Sequence, residues 1–258
     1  MRIMKKTITN KLIKTEVYNF GFFIVLCLSC LNCTTKSISA EEIIDKSVEA
    51  HGGFQYWSEL KQLEFDKSTI LYTPEGDVER EINQHQMFLL KPSLEGAILS
   101  NETYKNDLYF HGNEFSKVIN DSVFMVSDSL EFEAAKNTFF AAHYVVCQPF
   151  KLKDENLILK YVGKEKIDNT EVYAVNVSYT TDDKQSDKWT YYFDAKTYKL
   201  VANKVTHNGN ISLIKNVEFD LKTKLVFNAH RKSYTILGDG SAFLRAEYFY
   251  TNFKALFE

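Results

Sequence analysis

Several groups of side chains in this chain are spaced so that chemistry could follow. Ser29-Cys30 sets a thiol directly after a small residue. Cleavage before Cys30 would free an amino group beside that thiol, and both can be acylated. His143 and Cys147 are four apart, so on a helix they share a face and could hold a soft metal ion. Such a site needs one or two further ligands at bonding distance, and the sequence offers none nearby. The pair therefore reads as a helix histidine near the surface and a small buried hydrophobe. The carboxylate pairs Glu131/Glu133 and Asp182/Asp183 are too close in sequence to aim at one bond, and read as solvated. His51 falls in the last turn of a predicted helix, where a partly positive ring suits the helix dipole, while His85 and His111 face solvent. The remaining histidines are scattered. No Gly-x-Ser-x-Gly elbow, phosphate-binding glycine loop, dinucleotide fingerprint or His-Glu-x-x-His motif occurs. No cofactor is implied. A hydrolase would need a nucleophile and a base to meet from distant parts of the chain, and the expectation is of a protein that is not an enzyme.

The positive hint is apolar. Phe88, Leu90, Tyr109, Phe110, Phe124, Phe139, Phe140, Tyr144 and Phe150 could line a cavity wide enough for an acyl chain, since an alkyl chain asks only for a concave apolar wall and a lid. The same residues could fill a solid core.

The elements that would carry these groups begin with a leader. Arg2, Lys5, Lys6, Lys11 and Lys14 precede an apolar run from Phe20 to Leu28, which is too short to span a bilayer as a helix. The pattern is that of an export signal over 1–29, with Cys30 as the lipid-bearing residue and 30–38 as a tether. Cys33 is the rival, although Asn32 before it is a poorer small residue. Five basic groups and one acid leave with 1–29, so a chain of net charge −3 becomes −7 from Cys30 onward. With no Lys/Arg-rich block to offset it, that balance argues against nucleic-acid binding. Cys147 is then the one cysteine of the folded part, so no disulfide framework is expected.

From Ser39 to Glu258 the sequence predicts a single domain. Ser39 with Glu42 makes a capping-box pattern, Ile43, Ile44, Ser47, Val48 and His51 share a helical face, and Gly52-Gly53 stops the helix. A short turn over 54–60 brings in Tyr56 and Trp57. Strands are expected near 61–72, 78–90, 94–100, 103–110, 114–119 and 122–127. A second group follows near 156–163, 170–180, 188–194, 198–206, 211–219, 224–236 and 242–253. Turn sequences such as Pro74-Glu75-Gly76, Asn208-Gly209 and Gly238-Asp239-Gly240 join them into an antiparallel meander. An amphipathic helix over 131–147 separates the two groups, its apolar residues Phe132, Ala135, Phe139, Phe140, Tyr144 and Cys147 recurring at helical spacing. The expected fold is α+β: an antiparallel, half-open β-barrel of about eleven to thirteen strands with helices covering one opening.

The phrases Glu41-Glu42-Ile43-Ile44-Asp45-Lys46-Ser47 to His51-Gly52-Gly53, then Trp57 and Leu60–Phe65, resemble the opening of LolA/LolB-like envelope proteins. Pro149-Phe150-Lys151-Leu152 and Tyr191-Tyr192-Phe193-Asp194-Ala195-Lys196-Thr197 resemble a subgroup of that superfamily of unassigned function. The resemblance implies an open barrel holding a hydrophobic ligand, such as the acyl chain of a lipid or lipoprotein, beneath helical lids. A membrane reached through the N-terminal lipid and an envelope protein are the other expected partners. Leu31 is not the aspartate associated with inner-membrane retention, which points to the outer membrane facing the periplasm. An envelope interaction module with a solid core is the alternative.

Overall fold

The computed structural model describes residues 38–101, 106–180, 187–207 and 209–258. The leader, Cys30, Cys33, the tether up to Ser37, Asp182-Asp183 and Asn208 lie outside the described residues.

Ser39 caps the first helix, α1 (Ala40–Ala50), its Oγ accepting from the Glu42 backbone N–H at 3.1 Å. The Glu42 carboxylate turns to Lys46 at 2.8 Å. Ile43, Ile44, Ser47 and Val48 form the buried stripe the spacing predicts. Gly52 and Gly53 end the helix with φ of +112° and +93°, and their N–H groups return to Glu49 O and Val48 O. A second short helix, α2 (Phe54–Glu59), leads directly into the sheet.

The first meander is β1 (Leu60–Tyr72), β2 (Val78–Leu89), β3 (Glu95–Ser100), β4 (Asn106–His111), β5 (Glu114–Ile119) and β6 (Ser122–Met125). Helix α3 (Ser129–Val146), capped by Asp128, and a 3₁₀ turn at Phe150–Lys153 follow. The second meander is β7 (Leu157–Ile167), β8 (Thr170–Tyr179), β9 (Lys188–Asp194), β10 (Leu200–His207), β11 (Asn210–Asp220), β12 (Phe227–Ile236) and β13 (Ala242–Phe257). Boundaries differ most at β7, which continues past 163 through a bulge at Gly163, and at β13, which runs four residues past 253.

All thirteen strands join one antiparallel sheet in the order β6-β5-β4-β3-β2-β1-β13-β12-β11-β10-β9-β8-β7. The two meanders meet where β1 pairs with β13, from Leu60↔Phe257 to Leu71↔Ala246. Strands β6 and β7 are left as edges, so the sheet is an open half-barrel. Helices α1 and α2 sit at the end where β1 starts and β13 stops: Val226 N–H donates to His51 O, and Tyr56 packs edge-on against Phe257.

His51 departs from the sequence expectation. It is 1 % exposed, packed edge-on against Phe219, and its Nδ1–H donates to Ser47 O at 2.8 Å. Burial lowers its pKa to about 4, so the ring is neutral and helps to close the core; desolvation outweighs any gain from the helix dipole.

Gly52 is the tightest point of this junction. A Cβ there would stand 2.5 Å from Lys224 O, at a φ that side chains rarely adopt. Gly52→Ala is expected to cost about 2 kcal/mol or more from backbone strain plus overpacking, read as a lowered urea midpoint.

Candidate functional site

Strand period sends alternate side chains of β1 inward, and Lys67, Thr69 and Leu71 share that face. Register carries the face across the sheet. Ile82, Gln84 and Gln86 of β2 lie opposite Thr69, Lys67 and Phe65, and Ile98 of β3 lies opposite Gln86. On the other side Tyr250 and Tyr248 of β13 lie opposite Lys67 and Thr69, and Arg231 of β12 lies opposite Tyr248. Ile214 and Ser212 of β11, Asn203 and Val205 of β10 and Trp189 of β9 complete the wall. Eight adjacent strands thus face one cavity of about 540 Å³. A flat sheet would spread β3 and β9 about 34 Å apart at roughly 4.8 Å per strand, so the sheet must curl for both to reach the same space.

Helix α3 closes this space with Thr138, Ala141, Ala142 and Val145, residues at i, i+3, i+4 and i+7 and so on one face. Its neighbouring face buries Ala135, Phe139, His143 and Val146. Phe139 meets Phe88, Phe110 and Phe115 with ring centroids 5.3, 5.1 and 6.0 Å apart, which pins the helix to β2, β4 and β5. On the other flank the Tyr144 and Tyr191 hydroxyls lie 3.2 Å apart, and Gln148 Nε2 donates to Tyr191 Oη at 2.9 Å. Burial foremost raises both phenol pKa values far above their usual range, so both stay protonated.

The nine sequence-predicted lining residues divide four ways. Phe88, Phe110, Phe139 and Phe140 come together in the aromatic cluster against α3, with Phe140 partly exposed. Phe150 stacks on Trp57 at 4.7 Å, and Leu90 lines a smaller cavity of about 440 Å³ with Phe54, Trp57, Leu94, His143 and Lys151. Phe124 and Tyr109 are 52 % and 36 % exposed on the outer strands. None of the nine lines the larger cavity; Tyr144 reaches its neighbourhood through Tyr191. The residues that do line it escaped sequence reading because they mix polar, aliphatic and aromatic side chains. The available signal was parity: Arg231 shares the inward phase of β12 with buried Phe227 and Ser233.

His143 and Cys147 do sit on one helix end, joined by the backbone bond from Cys147 N–H to His143 O. His143 is 7 % exposed rather than near the surface, tilted against Phe88, and its Nε2 has no hydrogen-bond partner. Burial and then Lys151 lower its pKa to about 4. Burial pushes the Cys147 thiol well above its ordinary range, which makes it inert at neutral pH. Among the described residues no three His, Cys, Asp or Glu side chains gather as metal ligands, and no helix is long and apolar enough to cross a membrane.

Residues 20–227 match a family described as a family of unknown function, DUF6503. No curated protein matches the chain. Among solved structures, a LolA superfamily protein from Nitrosomonas europaea aligns with a TM-score of 0.52 at 10% identity, covering 84% of this chain and 94% of that one. A DUF1329 family protein from Desulfovibrio piger gives 0.52 at 8% identity, covering 84% and 92%. A domain assigned to outer membrane lipoprotein sorting from Vibrio parahaemolyticus gives 0.52 at 9% identity, covering 83% and 91%. The fold is that of the LolA-like superfamily.

Both buried histidines are neutral in the folded chain and titrate near 6.5 when unfolded. The unfolded state therefore binds more protons as pH falls from about 6.5 toward 4. Their stabilising contribution is complete above that window and is lost within it, on the order of 3 kcal/mol for each ring. The urea midpoint should drop between pH 7 and pH 4.5, and His143→Leu should flatten part of that slope.

Proposed function

The chain belongs to the DUF6503 family of unknown function, and from that premise we propose that it binds a hydrophobic ligand in the half-barrel without catalysing a reaction. The ligand class is an alkyl or acyl chain of a lipid or lipoprotein. The observation that carries this reading is the cavity of about 540 Å³ between eight strands and α3. Its volume lies within the roughly 300–1,000 Å³ usual for small-molecule sites. Leu71, Ile82, Ile98, Val205 and Ile214 in its lining suit an alkyl chain, and the shared fold with LolA-like proteins supports the assignment.

We propose the bacterial envelope as its location, with the chain anchored through lipid on Cys30 and facing the periplasm from the outer membrane. The leader pattern over 1–29 supports this, and 39–258 would be the ligand-binding domain. An interaction module is the second reading. It draws on the β6 edge, where Val123, Phe124 and Met125 are 69 %, 52 % and 58 % exposed on a strand with one free side.

Two experiments test these readings. Ala142→Trp should fill the space beneath α3 and weaken binding of the neutral probe N-phenyl-1-naphthylamine at least tenfold in a folded protein. Equal binding by the variant would remove this cavity as the site. Cys30→Ser should move the protein from the membrane fraction to the soluble fraction, while Cys33→Ser should not. The reverse result would assign the lipid to Cys33.

A further inference from the structure

Among the described residues the cavity wall holds two cations, Lys67 and Arg231, and no Asp or Glu, in a chain whose net charge is −3. Arg231 is 4 % exposed. Its Nε–H donates to Asn216 Oδ1 and an Nη2–H donates to Asn203 Oδ1, both at 2.9 Å. A guanidinium has five N–H donors, so most of its capacity is unspent. Asn216 in turn donates through Nδ2 to Leu200 O at 2.7 Å, which fixes its oxygen toward the arginine. The asparagines therefore aim the guanidinium without neutralising it. Lys67 is held in a similar way, its Nζ 5.4 Å from the Tyr248 ring centroid and 5.8 Å from that of Tyr250.

Among the described residues neither cation has a carboxylate partner, although outward-facing cations do. Lys215 pairs with Asp168 at 2.7 Å, Lys232 with Glu247 at 3.0 Å and Arg245 with Glu79 at 2.6 Å. A buried charge such as that of Arg231 is costly to leave unpaired, and a negative group brought by a ligand would offset that cost. Lys67 and Arg231 flank β13 on one face, one facing Tyr250 and the other Tyr248. Two strand spacings across and two residues along β13 put their backbones about 12 Å apart, a gap that two long side chains can close toward one head group.

We infer that the ligand is an anionic amphiphile: one alkyl chain ending in a carboxylate or a phosphate, with the head on Arg231 and Lys67 beside it. The chain lies along Leu71, Ile82, Ile98, Val205 and Ile214. This rests on the cavity being the ligand site, and it adds the charge of the head.

The test is calorimetric titration of the full chain with palmitate, hexadecyl phosphate and hexadecanol, which share a chain length and differ in the head. At least one anion should bind tenfold or more tightly than hexadecanol to the unaltered protein. The order of the two anions tells carboxylate from phosphate. Arg231→Gln should cut affinity for the preferred anion at least tenfold and leave hexadecanol unchanged. Lys67→Gln, at a half-exposed position, should do the same to a smaller degree. Equal binding of all three compounds to the unaltered protein would overturn the inference while leaving an apolar site in place. Binding of none would overturn the cavity reading and the inference together. The comparison of heads on the unaltered protein decides the matter even if Arg231→Gln fails to fold.

Discussion

The pairing of the first strand with the last is the constraint on which the rest depends. Strands β1 and β13 are the longest in the sheet, and their register runs from Leu60↔Phe257 to Leu71↔Ala246. Separated from each other, the two meanders would expose two more edges, both in the middle of what is now the cavity wall. Joining chain segments this far apart adds closure entropy only logarithmically, whereas the ladder supplies hydrogen bonds and cross-strand contacts along its whole length. The inner face gains a further anchor there: Phe65 of β1 packs against Tyr250 and Phe253 of β13, and Phe253 stacks on Phe227 of β12. Among the described residues edges remain only at β6 and β7, the two strands that flank α3 in the chain.

Helix α3 explains how a packed core and a cavity coexist under one element. Aromatic rings along its Ala135–Phe139–His143 stripe interlock with β2, β4 and β5, leaving little space. One turn of the helical wheel away, Thr138, Ala141, Ala142 and Val145 are too small to reach the strands across from them. Close packing on the first face fixes the helix height, and that height keeps the second face off the sheet. The Tyr144, Tyr191 and Gln148 contacts brace the opposite flank. A cavity here therefore does not require a loose protein.

Much of the fold was legible in the sequence because its signals are local. Ser39 and Gly52 announce a helix start and stop, period-two runs announce strands, and Pro74-Glu75-Gly76 announces a turn whose Gly76 N–H indeed donates to Thr73 O. The β1–β13 pairing was not legible, since no local pattern says that the first and last strands are neighbours. The aromatic list pointed to the element that roofs the cavity, α3, but bulky rings near a helix fill space instead of leaving it. Local pattern suggests a partly positive ring for His51 at the helix end, whereas its buried, neutral state depends on Phe219 and on the backbone at Val226, which lie far along the chain.

One register accounts for the charge on both faces of the sheet. Outward from β13, Glu247 accepts from Tyr72 Oη at 2.7 Å and meets His230 and Lys232 at 3.0 Å each. Burial alone would raise the Glu247 pKa, but those three partners outweigh it and hold it below the ordinary carboxylate value. Inward from the same strands come Tyr248 and Arg231, the immediate neighbours of Glu247 and of His230 with Lys232. A slip of one residue would exchange the faces. It would bring Glu247 into the cavity and send Arg231 out among the acids, losing both the outer network and the cationic wall. The outer ion pairs therefore help to fix the register that keeps Arg231 inside. The positive character of the cavity follows from how β12 and β13 are paired and does not need an excess of basic residues in the chain.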